Sequence, residues 1–517
     1  MTSPQEPTNP TGPTQPGDPV GVTDDSPWQA APADPWAHEA PIEPWAGPGL
    51  APTTGGIDTV DEAHPAVASA PLPGQRPNRR RLLVIGAAAV ALVLVAAAAT
   101  AVVWWRSRDG AVTFHQLSNP KSVGTDEENP SFYYARTAVT DKRGYLAWIS
   151  GDNVRILGAE LATEAPVKPV TVGPGDEIRS LVPVDDALVL VLSTYSPSSR
   201  AIYVIDAATL KTRWHRTLGA DEWVETFPSY VLLIDPDADR VRKVDVKGDG
   251  SADGWNQQFA GASFRVAYPT GDLSAPAWVN GWPLAATADR SLLISKDSVV
   301  DVYDPATGEK RNSINGVPSS SNSALVVDNV YYAVRSDLDG YQVQAFDLTG
   351  KKQPTTIYTA EPKVYLNDLY ACGGGVCVTQ TTLGGTGTKV IALPTGDGTK
   401  PRWTLDVSDV DGITPIGEDT MIVDTTKAHT WIVGKDGTVR YDREARLGTR
   451  VTGGSVLLWS GLGTSAESVG LEGYTVADAS AQPLGTADDI LAARCTWSTT
   501  VLLCPAGGNL AWWTFAD

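Results

Sequence analysis

Between residues 112 and 517, short apolar strands recur in pairs at an interval of about 40 to 45 residues. A unit of that length cannot bury both faces of its own sheet, so it must stack on neighbours built like itself. The first strands of these units read ALVLVLS from Ala187, SLLIS from Ser291, NVYYAV from Asn329, TMIVD from Thr420 and SVLLWS from Ser455. Each is followed by a turn and a second strand that ends on an acidic residue and a tight reversal. The clearest second strands span 201–214, 299–312 and 341–352, with weaker copies at 241–255 and 428–441. Runs apolar on both faces suit strands held between two packed sheets. About nine hairpins predict an all-β ring of seven or eight blades, because closing the ring removes its exposed sheet edges. The strand NLAWWTF from Asn509 is expected to complete the blade opened near Val112.

The turn chemistry repeats as well. Asp206, Asp304 and Asp347 are placed to accept hydrogen bonds from turn amides, and a following Thr-Gly supplies the reversal. Trp214 is expected in the groove between adjacent blades. The segment 204–214 (VIDAATLKTRW) resembles the quinoprotein-type (PQQ-like) propeller family, whose blades carry A-x-D-x-x-T-G-x-x-x-W. Leu210 stands where that pattern has glycine. In the next copy Asp304-Pro305-Ala306-Thr307-Gly308 keeps the glycine, but Asn312 replaces the tryptophan. The resemblance implies a β-propeller and leaves activity open, since the family includes dehydrogenases, sensor ectodomains and protein-assembly scaffolds. Its redox members hold their cofactor beside adjacent cysteines, an acidic calcium shell and a stacking Trp. No two cysteines are adjacent here, so no redox cofactor is expected.

Ahead of the repeats, residues 82–105 read LLVIGAAAVALVLVAAAATAVVWW, without charge or proline. As a helix that run is about 36 Å long, enough to cross a bilayer. Arg79, Arg80 and Arg81 precede it directly, so the positive-inside rule predicts residues 1–81 in the cytoplasm and 106–517 outside, anchored in the lipid bilayer by one helix. The tail, residues 1–81, is crowded with Pro, Ala, Gly, Thr and acidic residues and is expected to be disordered. Within it Pro-Trp recurs with an acidic residue close before, at Trp28, Trp36 and Trp45. Such spacing is expected of a multivalent motif docking a cytoplasmic protein. The alanine- and proline-rich composition, poor in Lys and Met, is that of a high-GC actinobacterial envelope protein.

All four cysteines follow the anchor. A two-residue turn at Gly374-Gly375 would set Cys372 opposite Cys377, and a hairpin about Thr499-Thr500 would set Cys495 opposite Cys504. Two local disulfides are therefore expected, in an oxidising compartment. The formal net charge of −20 excludes a concentrated basic face for nucleic acid. His115, His215 and His429 lie in unrelated surroundings, and neither a G-x-S-x-G elbow nor an H-E-x-x-H motif occurs. One metal candidate stands out. Asp245, Asp249 and Asp253 have the spacing of a calcium loop, although Lys247 occupies a usual ligand position and the stretch also reads as an ordinary blade turn.

These features describe a non-catalytic binding or scaffold module of the cell envelope, taking a protein, glycan or small ligand on the loops and central funnel of the ring. Two alternatives accompany it. A transmembrane sensor would couple an external ligand to the tail, and a carbohydrate-active enzyme would gather carboxylates in the funnel.

Overall fold

The computed structural model describes residues 43–44 and 110–517, less 128–129, 196–197, 252, 269–274, 279–283, 285, 287–289, 319–323, 328, 338–339, 350–352, 386, 395–397, 399 and 464. The anchor at 82–105 and the tail tryptophans Trp28, Trp36 and Trp45 lie outside the described residues. Among the described residues no helix is long and apolar enough to cross a membrane.

The chain forms eight sheets of antiparallel strands. Seven blades each hold four consecutive strands, and their first strands are Ser131–Val139, Glu177–Val184, Trp223–Thr226, Ser263–Tyr268, Ala324–Val327, Val364–Cys372 and Gly412–Ile416. The eighth sheet begins with four more, from Leu447–Thr452 to Ser480–Ile490. It continues through the single pair Ile490↔Ala506 into a closing group. In that group Asn509–Thr514 pairs with Val501–Ala506 on one side and with Lys121–Gly124 on the other. The expected closure, in which the last strand completes a blade with the start of the domain, is therefore what the backbone shows. A propeller of about eight four-stranded sheets results.

Each strand's sequence explains its position. In Ala187–Tyr195 the residues Ala187, Leu188, Val189 and Leu190 are all fully buried, because this strand is covered by a blade on either side. Each such Leu or Val contributes about 1.5–3 kcal/mol on leaving water. Apolar clusters fill the interfaces between blades, and one of them runs continuously from the second blade through the third to the fourth. The last joins Leu503, Leu510 and Trp512 of the closing group to Phe132, Leu146 and Trp148 of the first blade.

Three interfaces share one device. Trp214, Trp255 and Trp403, each on the fourth strand of a blade, lie against a left-handed turn glycine of the next blade. Those glycines are Gly250 (φ +71°), Gly308 (φ +73°) and Gly437 (φ +85°). A Cβ on any of them would come within 2.6–2.8 Å of the tryptophan side chain. Glycine is required twice over, for the backbone sign and for the room. The first and second blades show why Leu210 departs from the pattern. The fourth strand of the first blade, Pro166–Pro174, carries no tryptophan, and Leu210 packs with Val167 and Val170 in that interface, only 1 % exposed. It keeps the left-handed turn, with φ +57°, and the same hydrogen bond to Asp206 that Gly308 makes to Asp304. The turn aspartates act as expected. Asp206 accepts from the amides of Ala208 and Thr209, Asp304 from Ala306, and Asp347 from Thr349.

Both disulfides form, one in the expected register and one shifted. Thr496↔Leu503 and Trp497↔Leu502 fold symmetrically about Thr499-Thr500, so Cys495 meets Cys504 with Cα atoms 4.2 Å apart. At the other pair Cys372 aligns with Gly375 and Cys377 with Tyr370, which moves the turn back to Gly373-Gly374. Gly374 takes the left-handed position there, with φ +69°, and the Cys372–Cys377 bridge runs diagonally over 5.7 Å between Cα atoms.

Candidate functional site

The interval between first strands lengthens once, in the fourth blade, where 22 residues separate Tyr268 from Ser291. This excursion reaches the first strand of the eighth blade. Ala277 and Arg450 exchange backbone hydrogen bonds at 3.0 and 3.1 Å, and Arg450 Nε donates to the Ala275 carbonyl at 3.1 Å. Trp278 meets Trp497 edge-on at 4.8 Å between centroids, and Trp459 closes on Trp497 from the other side. The return of the excursion is held by a buried ion pair, Arg290 Nη1 to Glu225 Oε2 at 2.9 Å. The excursion thus ties the fourth blade to the eighth through Ala275, Ala277 and Trp278.

A concavity of about 820 Å³ lies between the fifth and sixth blades. One wall is the outer strand Thr355–Thr359 and the linker through Glu361; the other is the face of the sixth blade, from Gln380 to Val407. Five threonines line it: Thr356, Thr359, Thr382, Thr388 and Thr404. At its base Tyr341 and Tyr358 both donate to Gln380 Oε1, at 2.6 and 3.2 Å. Burial raises both phenols above their ordinary range, so both remain O–H donors at neutral pH. With its carbonyl satisfied twice, Gln380 is oriented with its amide N–H group left to donate. Charge is confined to Glu361 and to Lys389 and Asp406, which lie 3.6 Å apart. The groove is a set of hydroxyl and amide groups around Ile357 and Tyr358, suited to a neutral ligand rich in hydroxyls.

Among the described residues five carboxylates are buried, and each has a charged or hydrogen-bonding neighbour. Glu177 pairs with Arg179, Glu222 with Arg242 and Glu225 with Arg290. Asp424 accepts from Ser408 Oγ and the Lys427 amide. Asp419 Oδ2 lies 2.9 Å from Arg440 Nη1, an ion contact without hydrogen-bond geometry, and burial raises its pKa despite that arginine. The calcium candidates behave as turn residues. Asp249 caps its own turn through Ser251, Asp245 faces Lys243 at 3.4 Å, and Lys247 pairs with Asp185 of the second blade. Asp253 begins the next strand. Among the described residues no three His, Cys, Asp or Glu side chains gather to hold a metal ion.

Neither a protein-family model nor a curated protein sequence matches the chain. Solved structures do match in overall architecture. BamB from Moraxella catarrhalis is 14 % identical, with a TM-score of 0.38, over 77 % of this chain and all of its own. The Dos1 propeller is 12 % identical, with a TM-score of 0.39, over 77 % of this chain and 95 % of its own. The Pan2 WD40 domain of Neurospora crassa is 10 % identical, with a TM-score of 0.30, over 62 % and 93 %. Likeness this distant carries no assignment of activity, ligand or partner.

Proposed function

We propose that the chain is a non-catalytic binding or scaffold module, tethered by residues 82–105 and taking a hydroxyl-rich ligand, such as an envelope glycan, in the groove between the fifth and sixth blades. The observation that carries this reading is the groove itself, with its five threonine hydroxyls and the Gln380 amide fixed by two phenols. An enzyme acting on sugars needs a carboxyl group free to give and take a proton. The buried carboxylates are instead tied to arginines, a hydroxyl or backbone amides, and the acids of the groove are Glu361 and Asp406, the latter 3.6 Å from Lys389. Thr404 is exposed on the groove wall, so Thr404→Trp fills the groove without entering the core. The full chain in detergent is compared with this variant for retention on immobilised envelope glycans. Loss of retention at an unchanged melting temperature is the expected result. Equal retention, or the release of cleaved glycan, refutes the proposal.

The sensor alternative shares this surface and adds the tail. Replacing Trp28, Trp36 and Trp45 by Ala is expected to abolish recovery of a cytoplasmic partner, and unchanged recovery rejects a docking role for them. The alternative arrangement, with tail and propeller on one side of the membrane, is the one that the parallel pairing of Glu43–Pro44 with Ala267 and Tyr268 would require. Labelling Ser3→Cys in intact cells with a membrane-impermeant maleimide separates the two arrangements, because only a tail that has not crossed is shielded.

A further inference from the structure

The first strands of blades one and two are both bulged near their beginnings. Pairing steps from Ser131↔Ile149 to Arg136↔Ala147 in one, and from Ile178↔Leu192 to Ser180↔Val191 in the other. Bulges re-aim side chains and are common beside functional sites. These two present Tyr133, Tyr134, Glu177 and Arg179 near the short turn Ala492–Arg494, which ring closure brings against the first blade. Thr137 Oγ1 donates to the Arg494 carbonyl at 2.7 Å, fixing that approach.

Arg494 is the anomaly in this cluster. It is 4 % exposed, its Nη1 is fully buried without an acceptor, and among the described residues no carboxylate reaches it within ion-pair distance. The acid that influences it, Glu177, is already occupied: Oε2 lies 2.7 Å from Arg179 Nη2 and accepts from Ser193 Oγ and Tyr195 OH at 3.2 and 3.0 Å. A guanidinium cannot shed its proton to escape burial, and a buried charge without a partner costs several kcal/mol. Beside it Tyr133, its ring centroid 5.9 Å from the guanidinium carbon, stays 50 % exposed. A folded chain that keeps an uncompensated cation next to an open aromatic face has left a counter-ion to be supplied from outside.

We propose that Arg494 and Tyr133 form a site for an anionic sugar, the buried guanidinium charge drawing a carboxylate or phosphate while the exposed tyrosine face packs on the ring. The site does not depend on the groove between blades five and six.

The test is calorimetric titration of the full chain in detergent with glucuronate and with glucose 6-phosphate, using glucose and inorganic phosphate as controls. The two charged sugars distinguish a carboxylate ligand from a phosphate one, and glucose should not bind. Arg494→Gln should weaken the bound anion about tenfold or more, the worth of one charged hydrogen-bonded contact, and Arg494→Lys should weaken it less. Tyr133→Ala alters an exposed side chain; it should weaken the sugar anions and leave inorganic phosphate unchanged. Because the vacant site stores an unpaired charge, Arg494→Gln should melt no lower than wild type, whereas a structural arginine would lower the melting temperature on removal. Failure of both charged sugars to bind wild type overturns the proposal. So does unchanged binding in both Tyr133→Ala and Arg494→Lys.

Discussion

The tryptophan-on-glycine contact between blades gives a sharp perturbation in Gly250→Ala. Alanine at φ +71° would sit in the left-handed region, which costs an L-residue about 1–2 kcal/mol. Its Cβ would stand 2.7 Å from Trp214 Cδ2 and 2.8 Å from Cγ, and Trp214 is only 5 % exposed, so the ring has little room to retreat. Overpacking of that kind costs about 1–3 kcal/mol. The two effects together predict a loss of roughly 2–5 kcal/mol. Urea unfolding should be followed by tryptophan emission and far-UV circular dichroism in parallel, since a ring of repeats can open in more than one step. Trp214→Ala by itself is expected to cost about 3–5 kcal/mol through the cavity it leaves. In the double variant the clash disappears and only the backbone cost remains. The pair should therefore fall short of additivity by about 1–3 kcal/mol. A Gly250→Ala protein with the wild-type midpoint, or a strictly additive double variant, would falsify the account of how the blades are held.

Three other outcomes follow from the same structure. Arg213, at 2.7 Å, and Thr209 hold the Asp206 carboxyl down at about 2 from its usual 3.8, so its stabilisation is present above pH 4 and is lost as pH falls from there to 2. Asp206→Asn should therefore cost roughly 2 kcal/mol at neutral pH, and the two unfolding curves should converge at the acid end. Converting Cys495 and Cys504 together to Ser should cost about 2–3 kcal/mol on the loop-entropy account, read as a lower urea midpoint under non-reducing conditions only. Glu225→Gln, which removes the carboxylate 2.9 Å from the buried Arg290 guanidinium, should cost about 3–5 kcal/mol, and a variant as stable as wild type would show that pair to be dispensable.

What the sequence made legible was local. Strands such as Ala187–Tyr195 announce burial on both faces, and the turn aspartates carry their acceptors within two or three residues of the amides they bind. The Cys495 hairpin could be folded on paper because its symmetry lies in ten consecutive residues. What escaped was set by contacts between blades. Ala277 meets Arg450 across 173 positions, and a periodic reading passes over the inserted stretch without a signal for its destination. The groove needs Thr356 from one blade and Thr404 from the next. Leu210 read as a lapse in the repeat, yet it fills an interface whose other wall lacks the tryptophan. Arg494 has no local mark at all, because ring closure alone buries it.

The closing strand has a mechanical meaning. Lys121–Gly124 lies antiparallel to Asn509–Thr514, and Phe114 bridges Ala516, so the two chain ends are fastened to each other. Tension applied through Gly110 would reach this seam before any other part of the ring. The four-residue ladder bears the load there with backbone bonds at Thr113, His115 and Ser118, and peeling them would free the edge of Asn509–Thr514. The adjoining strand Val501–Ala506 is stapled through Cys504 to Cys495, so unravelling would stall at that covalent tie. The domain is built with this seam nearest Gly110 and a rivet one strand behind it.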